Sequence, residues 1–232
     1  MGLSSCQDVD SLVNSIAHEN TVECEFLGII GSSSRLYRKF ETLKKKATKE
    51  ELVALTNHVN PVVIAYASYA LLDRKLVEPS KLFHKFKADT RQVSTHCGCI
   101  LSSESLASLI YYRYRNTRIE YPDQERYNGY LVNDSAELQS LDSLILYSEN
   151  PEQHLILVAL ENRKYPDSYR GKIEEWAFDK HDFYALKYVF NHHRRENEEQ
   201  LVSTFEKRLT NPKIEPFENE EILQMIAILE SR

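Results

Sequence analysis

The sequence predicts an all-α chain of ten to twelve helices stacked as pairs, and three observations carry that expectation. Gly (6) and Pro (7) are too scarce in 232 residues to supply the tight turns of an all-β sandwich. Apolar residues recur at three- and four-residue spacing along most of the chain. One pattern is also written twice, as TNHVNPVVIAYASYALLDRK at 56–75 and YSENPEQHLILVALENRK at 147–164, each with Asn-Pro ahead of an apolar run reaching Ala-Leu.

Taken in order, Val9, Leu12, Val13 and Ile16 fall on one stripe of an amphipathic helix. VECEFLGII (22–30) is the one β-like run, and Gly28 and Gly31 suit a corner between helices better than a strand, so no strand is expected. A second helix turns Leu36, Phe40, Leu43 and Ala47 inward and its lysines outward. Thr48 with Glu51 has the spacing of a capping box and starts a third helix, bearing Leu52 and Leu55. Asn60 is a good N-cap, and Pro61 belongs at the first helical position, where its missing N–H costs nothing. The helix it opens, about 61–74, is apolar nearly all round (Val62, Val63, Ile64, Ala65, Ala67, Ala70, Leu71, Leu72) and must be covered on most sides.

Further on, Asp134 and Glu137 are placed to cap a helix bearing Leu138, Leu141 and Ile145. Asn150-Pro151 opens the next, with Leu155, Val158 and Ala159 inside. Asp179 or Asp182 caps the apolar segment FYALKYVF (183–190), and a helix with Leu201, Phe205 and Leu209 follows. Asn211-Pro212 stands at a comparable place, although Pro216 delays the last helix (Ile222, Leu223, Ile226, Leu229). The period is not strict: Ala-Leu lies nine residues after Pro61 and eight after Pro151. Helix pairs of about 40 residues, each unable to bury its apolar face alone, read as one stacked domain over 1–232. An irregular connection falls at about 116–133.

The segment LVALTNHVNPVVIAYASYALLDR resembles a HEAT repeat: a Leu-rich helix, a short Asn-Pro turn, then Val, small residues and Ala-Leu. Leu52, Leu55, Asn60, Pro61, Val63, Ala67, Ala70 and Leu71 follow that pattern, while Ile64 stands where the family often has Arg. The chain is similar in this respect to a group of bacterial HEAT-like proteins of its length. The resemblance implies a right-handed α-α superhelix, the HEAT/armadillo-like solenoid, used as a non-enzymatic module or scaffold that binds another protein in a preformed groove. It is specific for architecture and says little about activity.

Net charge of −6 argues against a general nucleic-acid partner. The charge is uneven: 35–49 carries seven Lys/Arg against one Glu, and 196–232 carries nine Glu against four Lys/Arg. Lys44, Lys45, Lys46 and Lys49 read as a solvated helix face, and the acidic end would suit an immunity-type inhibitor of a basic partner. The alternative is a HEAT-like DNA repair enzyme of the glycosylase type, which needs Trp176 and an acid facing a positive groove. No apolar run approaches the roughly 20 residues of a membrane-spanning helix. LSSC (3–6) resembles a lipoprotein cleavage box but lacks the charged and apolar stretches ahead of it, so the expectation is a cytoplasmic chain with no membrane partner.

No residue set reads as catalytic, metal-binding or cofactor-binding. In THCGCIL (95–101), His96, Cys97 and Cys99 lack the C-x2–4-C spacing and the second ligand pair of a zinc site, and Cys6 and Cys24 stand isolated. These residues read as small buried thiols around a Gly98 turn in a reducing compartment. In 174–195, Asp179, His181 and Asp182 resemble an acid-base cluster, but Asp179 or Asp182 reads more simply as an N-cap, and His192, His193, Arg194 and Arg195 as cations favouring a helix carboxyl end. The best candidate site is YYRYRNTRIEYPDQERYNGYL (111–131), with six of the fourteen tyrosines and four arginines in 21 residues. Tyr and Arg dominate binding hot spots, so Tyr112, Arg113, Tyr114, Arg115, Arg118, Tyr121, Arg126, Tyr127 and Tyr130 are the expected partner-binding residues.

Overall fold

The computed structural model describes residues 3–120, 131–133, 135–149, 151–212 and 214–231. The chain divides into two compact units, Met1–Ile119 with Asn133–Leu141 and Glu120–Val132 with Asp142–Arg232.

The first unit is built around one buried rod. In order it contains α1 (Leu3–Glu19), β1 (Val22–Leu27), β2 (Ser32–Ser33), α2 (Arg35–Lys46), α3 (Lys49–Leu55), α4 (Pro61–Asp73), α5 (Pro79–Phe86), β3 (Gln92–Gly98), β4 (Ile100–Ser105) and α6 (Leu106–Asn116). Helix α4 behaves as its composition demands: every residue from Val62 to Leu72 is buried, with α1, α2, α3, α6, β1 and β3 packed around it. Asn60 caps it, its Oδ1 accepting from Val62 N at 2.8 Å and Val63 N at 3.2 Å, and Pro61 is the first helical residue. The same side chain donates to Asn20 Oδ1 at 2.9 Å, tying the start of α4 to the end of α1. The Thr48–Glu51 capping box is present in full.

Sheet content is the main correction to the sequence reading. The first unit contains a mixed four-stranded sheet in the order β2-β1-β3-β4, in which β1 and β3 run parallel and the other pairs antiparallel. VECEFLGII is therefore a strand followed by a turn rather than a corner between helices. The strands leave little trace in the sequence because the sheet carries few apolar residues inward. Val22 and Val93 are buried with Thr95 and Ser105, while the consecutive Ile100 and Leu101 are both exposed, so β4 shows no apolar-in, polar-out alternation. Tyr66 fastens α4 to the sheet. β2 pairs only with Phe26 and Leu27, and beyond its end the Tyr66 hydroxyl accepts from Glu23 N at 2.8 Å. Phe40 stacks on Tyr66 (centroids 5.0 Å apart) and meets Tyr69 edge-on, and burial pushes both phenols up from their ordinary pKa.

Helix α7 (Ala136–Leu146) follows the short strands β5 (Ile119–Glu120) and β6 (Leu131–Val132). Asp134, expected as its cap, lies outside the described residues; Ser135 Oγ accepts from Leu138 N at 3.1 Å and does that work. The second unit holds α8 (Gln153–Leu160), α9 (Arg170–Glu174), a π-helical turn (Glu175–Asp179), α10 (Phe183–His193), α11 (Glu198–Leu209) and α12 (Pro216–Glu230). Here the Asn-Pro reading is corrected: α8 begins at Gln153 after Glu152, so Pro151 precedes the helix instead of opening it, and Asn150 lies outside the described residues. Asp182 does cap α10, accepting from Ala185 N at 2.9 Å. The last helix begins at Pro216. Leu155, Ile156, Ile173, Phe183, Leu186, Leu201, Phe205 and Ile222 are buried in the core of the second unit, and Arg163 and Asp142 form a buried ion pair of 2.7 Å.

Candidate functional site

The end of α4 builds a concave surface in the first unit. Its last residues form a Schellman motif, with Leu76 N donating to Leu71 O and Lys75 N to Leu72 O, both at 2.9 Å. The residue past the cap must then be left-handed, the place where glycine is the default. Lys75 occupies it with φ of 54°. A lysine held there costs about 1 kcal/mol of backbone strain, and such strain gathers at functional positions.

Around this turn lies a groove of about 770 Å³ walled by α3, the end of α4, the start of α5 and the end of α6. Leu76, Val77 and the half-exposed Val53 line it with apolar surface. Five cations line it as well: Lys49, Lys75, Lys81, Arg113 and Arg118. Asp73, Glu78 and Glu137 are the carboxylates. Two cations are already matched. Arg113 grips Asp73 as a fork (Nε–Oδ1 2.9 Å, Nη2–Oδ2 2.5 Å), and Lys81 meets Glu78 at 3.1 Å. Lys49, Lys75 and Arg118 form no ion pair with a described residue, which leaves the groove positive.

Asp73 is the hub of its wall. Besides Arg113 it accepts from Lys44 Nζ at 2.9 Å, and the Arg113 guanidinium lies over the rings of Tyr69 (5.0 Å) and Phe40 (5.5 Å). Burial pushes the Asp73 carboxyl up, but the bonds and charges of Arg113 and Lys44 outweigh it and hold the group below its ordinary value. Arg74, next in sequence, turns away and donates to Ala47 O at 2.6 Å at the end of α2. At the other side, Arg118 Nη2 donates to the Tyr114 hydroxyl at 2.9 Å with its guanidinium over that ring, and Arg118 Nε is buried with no hydrogen-bond partner among the described residues.

The structure thus brings three of the nine expected partner-binding residues, Arg113, Tyr114 and Arg118, into one groove. Arg115 is 3% exposed and belongs to the interior, which corrects its assignment as a contact residue. Tyr112 is half-buried, edge-on to Tyr111 at 6.5 Å. Tyr121, Arg126, Tyr127 and Tyr130 lie outside the described residues. Val53, Lys75 and Val77 are not marked by the sequence reading, and Lys49 is marked only as part of a solvated helix face. The signal for Lys75 and Val77 is the stretch RKLVEP (74–79), where charges flank Leu-Val just past an apolar helix. The basic strip is also less free than its sequence implies, since Lys44 pairs with Glu41 and Asp73, and Lys46 with Asp8.

In the second unit, Trp176 is 8% exposed, and its indole N–H donates to Leu146 O at 2.7 Å, so the ring offers no open stacking face. Asp182 is occupied as a cap, and burial pushes its carboxyl above the ordinary value against the hydrogen bonds from Ala185 and Tyr184. Among the described residues, no three His, Cys, Asp or Glu side chains stand close enough to hold a metal ion, and no helix is long and apolar enough to cross a membrane. Comparison with family models, with curated proteins and with solved structures finds no match for this chain.

Proposed function

We propose that this protein is a binding module whose first unit holds an acidic, partly apolar segment of another protein in the groove at the end of α4. The observation that carries the reading is the pairing of cations that have no ion pair among the described residues with apolar lining. Lys49, Lys75 and Arg118 would meet carboxylates, while Val53, Leu76 and Val77 would cover aliphatic side chains. Tyr114 and Arg118 are hot-spot residue types, pre-set against each other by their own hydrogen bond. The α3–α4 hairpin, capped at Asn60 and opened by Pro61, supports a HEAT-type repeat as the scaffold, with the helices fixed before the partner arrives. The groove suits an acidic partner rather than the basic one that the glutamate-rich carboxyl end suggests. A nucleic-acid reading has less support, because three carboxylates share the groove and Trp176 is spent on packing.

The test is purification of the tagged full-length chain from its native cell beside a Lys49→Glu/Lys75→Glu variant, followed by cross-linking through lysine. A stoichiometric protein that cross-links to Lys49, Lys75 or Lys81 and is lost from the variant supports the reading. A partner retained equally by both proteins, or salt-sensitive binding of nucleic acid in place of protein, overturns it.

A further inference from the structure

At the far end of the sheet in the first unit, three sulfurs meet an uncovered apolar surface. Cys24 on β1 and Cys97 on β3 are joined by a disulfide with their Cα atoms 4.8 Å apart, and Cys99 is a free, exposed thiol. This corrects the expectation of buried thiols and of an isolated Cys24. The bond sits in a bulge: between the pairs Glu23↔His96 and Leu27↔Gly98, β1 places three residues (Cys24, Glu25, Phe26) opposite one of β3 (Cys97). Bulges of this kind open a ladder and re-aim side chains, and they recur next to reactive sites.

Cys99 belongs to the turn joining β3 to β4. Cys97 pairs with Ile100, so Gly98 and Cys99 are the two central residues of the hairpin. Gly98 has φ of 55° and Cys99 is not left-handed, the sign pattern of a type II′ turn with glycine at its usual place. Two residues apart in such a turn, the Cα atoms of Cys97 and Cys99 are about 5–7 Å apart, within reach of a disulfide.

Phe26, Ile29 and Ile30 project from the neighbouring β1–β2 hairpin with 54, 94 and 90% of their surface exposed. Gly28 N donates to Gly98 O at 2.7 Å, which locks the two hairpin tips side by side. Ile100 and Leu101 follow Cys99 and are also exposed. Residues 26–34 and 97–103 contain no charged side chain. The disulfide closes a loop of 73 residues and so stabilises the unit, but the exposed apolar cluster and the free thiol beside it add nothing evident to stability, and each accounts for the other if the occupant carries both sulfur and apolar side chains.

We propose that Cys24, Cys97 and Cys99 form a thiol–disulfide exchange site for polypeptides bearing a cysteine among apolar residues. Within the chain, the Cys99 thiolate attacks Cys97 Sγ. The Cys97–Cys99 bond forms and the Cys24–Cys97 bond breaks. The electron pair leaves on Cys24 Sγ, which takes up from solvent the proton that Cys99 released, so nothing is oxidised or reduced overall. Toward a peptide disulfide, the Cys99 thiolate attacks one peptide sulfur. A mixed disulfide forms, and the other peptide half leaves as a thiolate and is protonated. Phe26, Ile29, Ile30 and Leu101 hold the apolar neighbours of the attacked sulfur.

The experiment uses the full-length chain in a Cys6→Ser background, without reductant or denaturant and without oxygen. Alkylation with iodoacetamide followed by mapping of the labelled peptides is expected to mark Cys99 and Cys24 but not Cys97, and the Cys24 label is expected to vanish in Cys99→Ser. Label on Cys99 alone, label on all three, or Cys24 label persisting in Cys99→Ser each overturns the exchange. A second arm offers two symmetrical peptide disulfides, one with Leu and Phe beside its cysteine and one with Ser and Asp. Mixed-disulfide formation at Cys99 is expected to be about tenfold faster with the apolar peptide, through burial of one large side chain, and the preference is expected to be erased in Phe26→Ser/Ile30→Ser. Equal rates with the two peptides overturn the proposed substrate class.

Discussion

Replacing Asp73 by Asn separates the charge of one carboxylate from its shape. Three charge-assisted hydrogen bonds converge on it, two from Arg113 and one from Lys44. Arg113 is wedged over Phe40 and Tyr69, so its guanidinium has no easy route to water once the carboxylate is gone. Removing one partner of a buried pair costs about 3–5 kcal/mol. The three side chains here retain 15–24% exposure and Asn keeps one acceptor, so the expected loss at neutral pH is about 3 kcal/mol. The sole tryptophan, Trp176, lies in the second unit and does not report on this site. Hydrogen exchange of the α4 amides does, and about 3 kcal/mol corresponds to exchange on the order of 100-fold faster. Because Asp73 titrates below its ordinary value when folded, its contribution is complete above about pH 4 and is lost as the pH falls through the folded value. The gap between wild type and variant is therefore constant from pH 7 to 5 and closes in more acid solution. A gap of the same size at pH 3, or none at pH 7, would refute the account of Asp73 as a charged hub.

Asn60→Ala removes the acceptor for Val62 and Val63 and the tie to Asn20, and is expected to cost about 1–2 kcal/mol in urea unfolding followed by circular dichroism. Tyr66→Phe keeps the ring stacked on Phe40 but strips the Glu23 N–H of its acceptor. A loss of about 1–2 kcal/mol is expected, with faster amide exchange confined to β1. Lys75→Gly relieves the left-handed lysine and is expected to stabilise the first unit by about 1 kcal/mol while weakening capture of an acidic partner, a trade that thermal unfolding and binding measured side by side would show.

What was legible in the sequence was local. Thr48 with Glu51, Asn60 with Pro61, and Asp182 act within four residues of themselves, and each caps the helix it was expected to cap. The burial of α4 also followed from composition, since a rod apolar on every side has to be covered. The sheet was not legible because its information lies elsewhere. Gln92–Gly98 becomes a strand through a parallel neighbour some seventy residues earlier, and its inward side chains are a valine and a threonine. The candidate groove was half legible for the same reason. Arg113, Tyr114 and Arg118 cluster in sequence, whereas Lys49, Val53 and Lys75 join them only once α3 and α4 have folded back on each other. Arg115 illustrates the opposite error: composition marks it as a contact residue, but helical phase carries it inward.

The parallel pairing of β1 with β3 also sets a timetable on the ribosome. Cys24 leaves the exit tunnel 73 residues ahead of Cys97, an interval of roughly 4–15 s at ordinary elongation rates. Throughout that interval β1 has no neighbour on its β3 side, and Phe26, Ile29 and Ile30 emerge with it. Translation speed across α2–α5, which can be slowed or hastened by synonymous codons without altering a single residue, should accordingly govern how much newborn chain is captured by chaperones before the sheet closes.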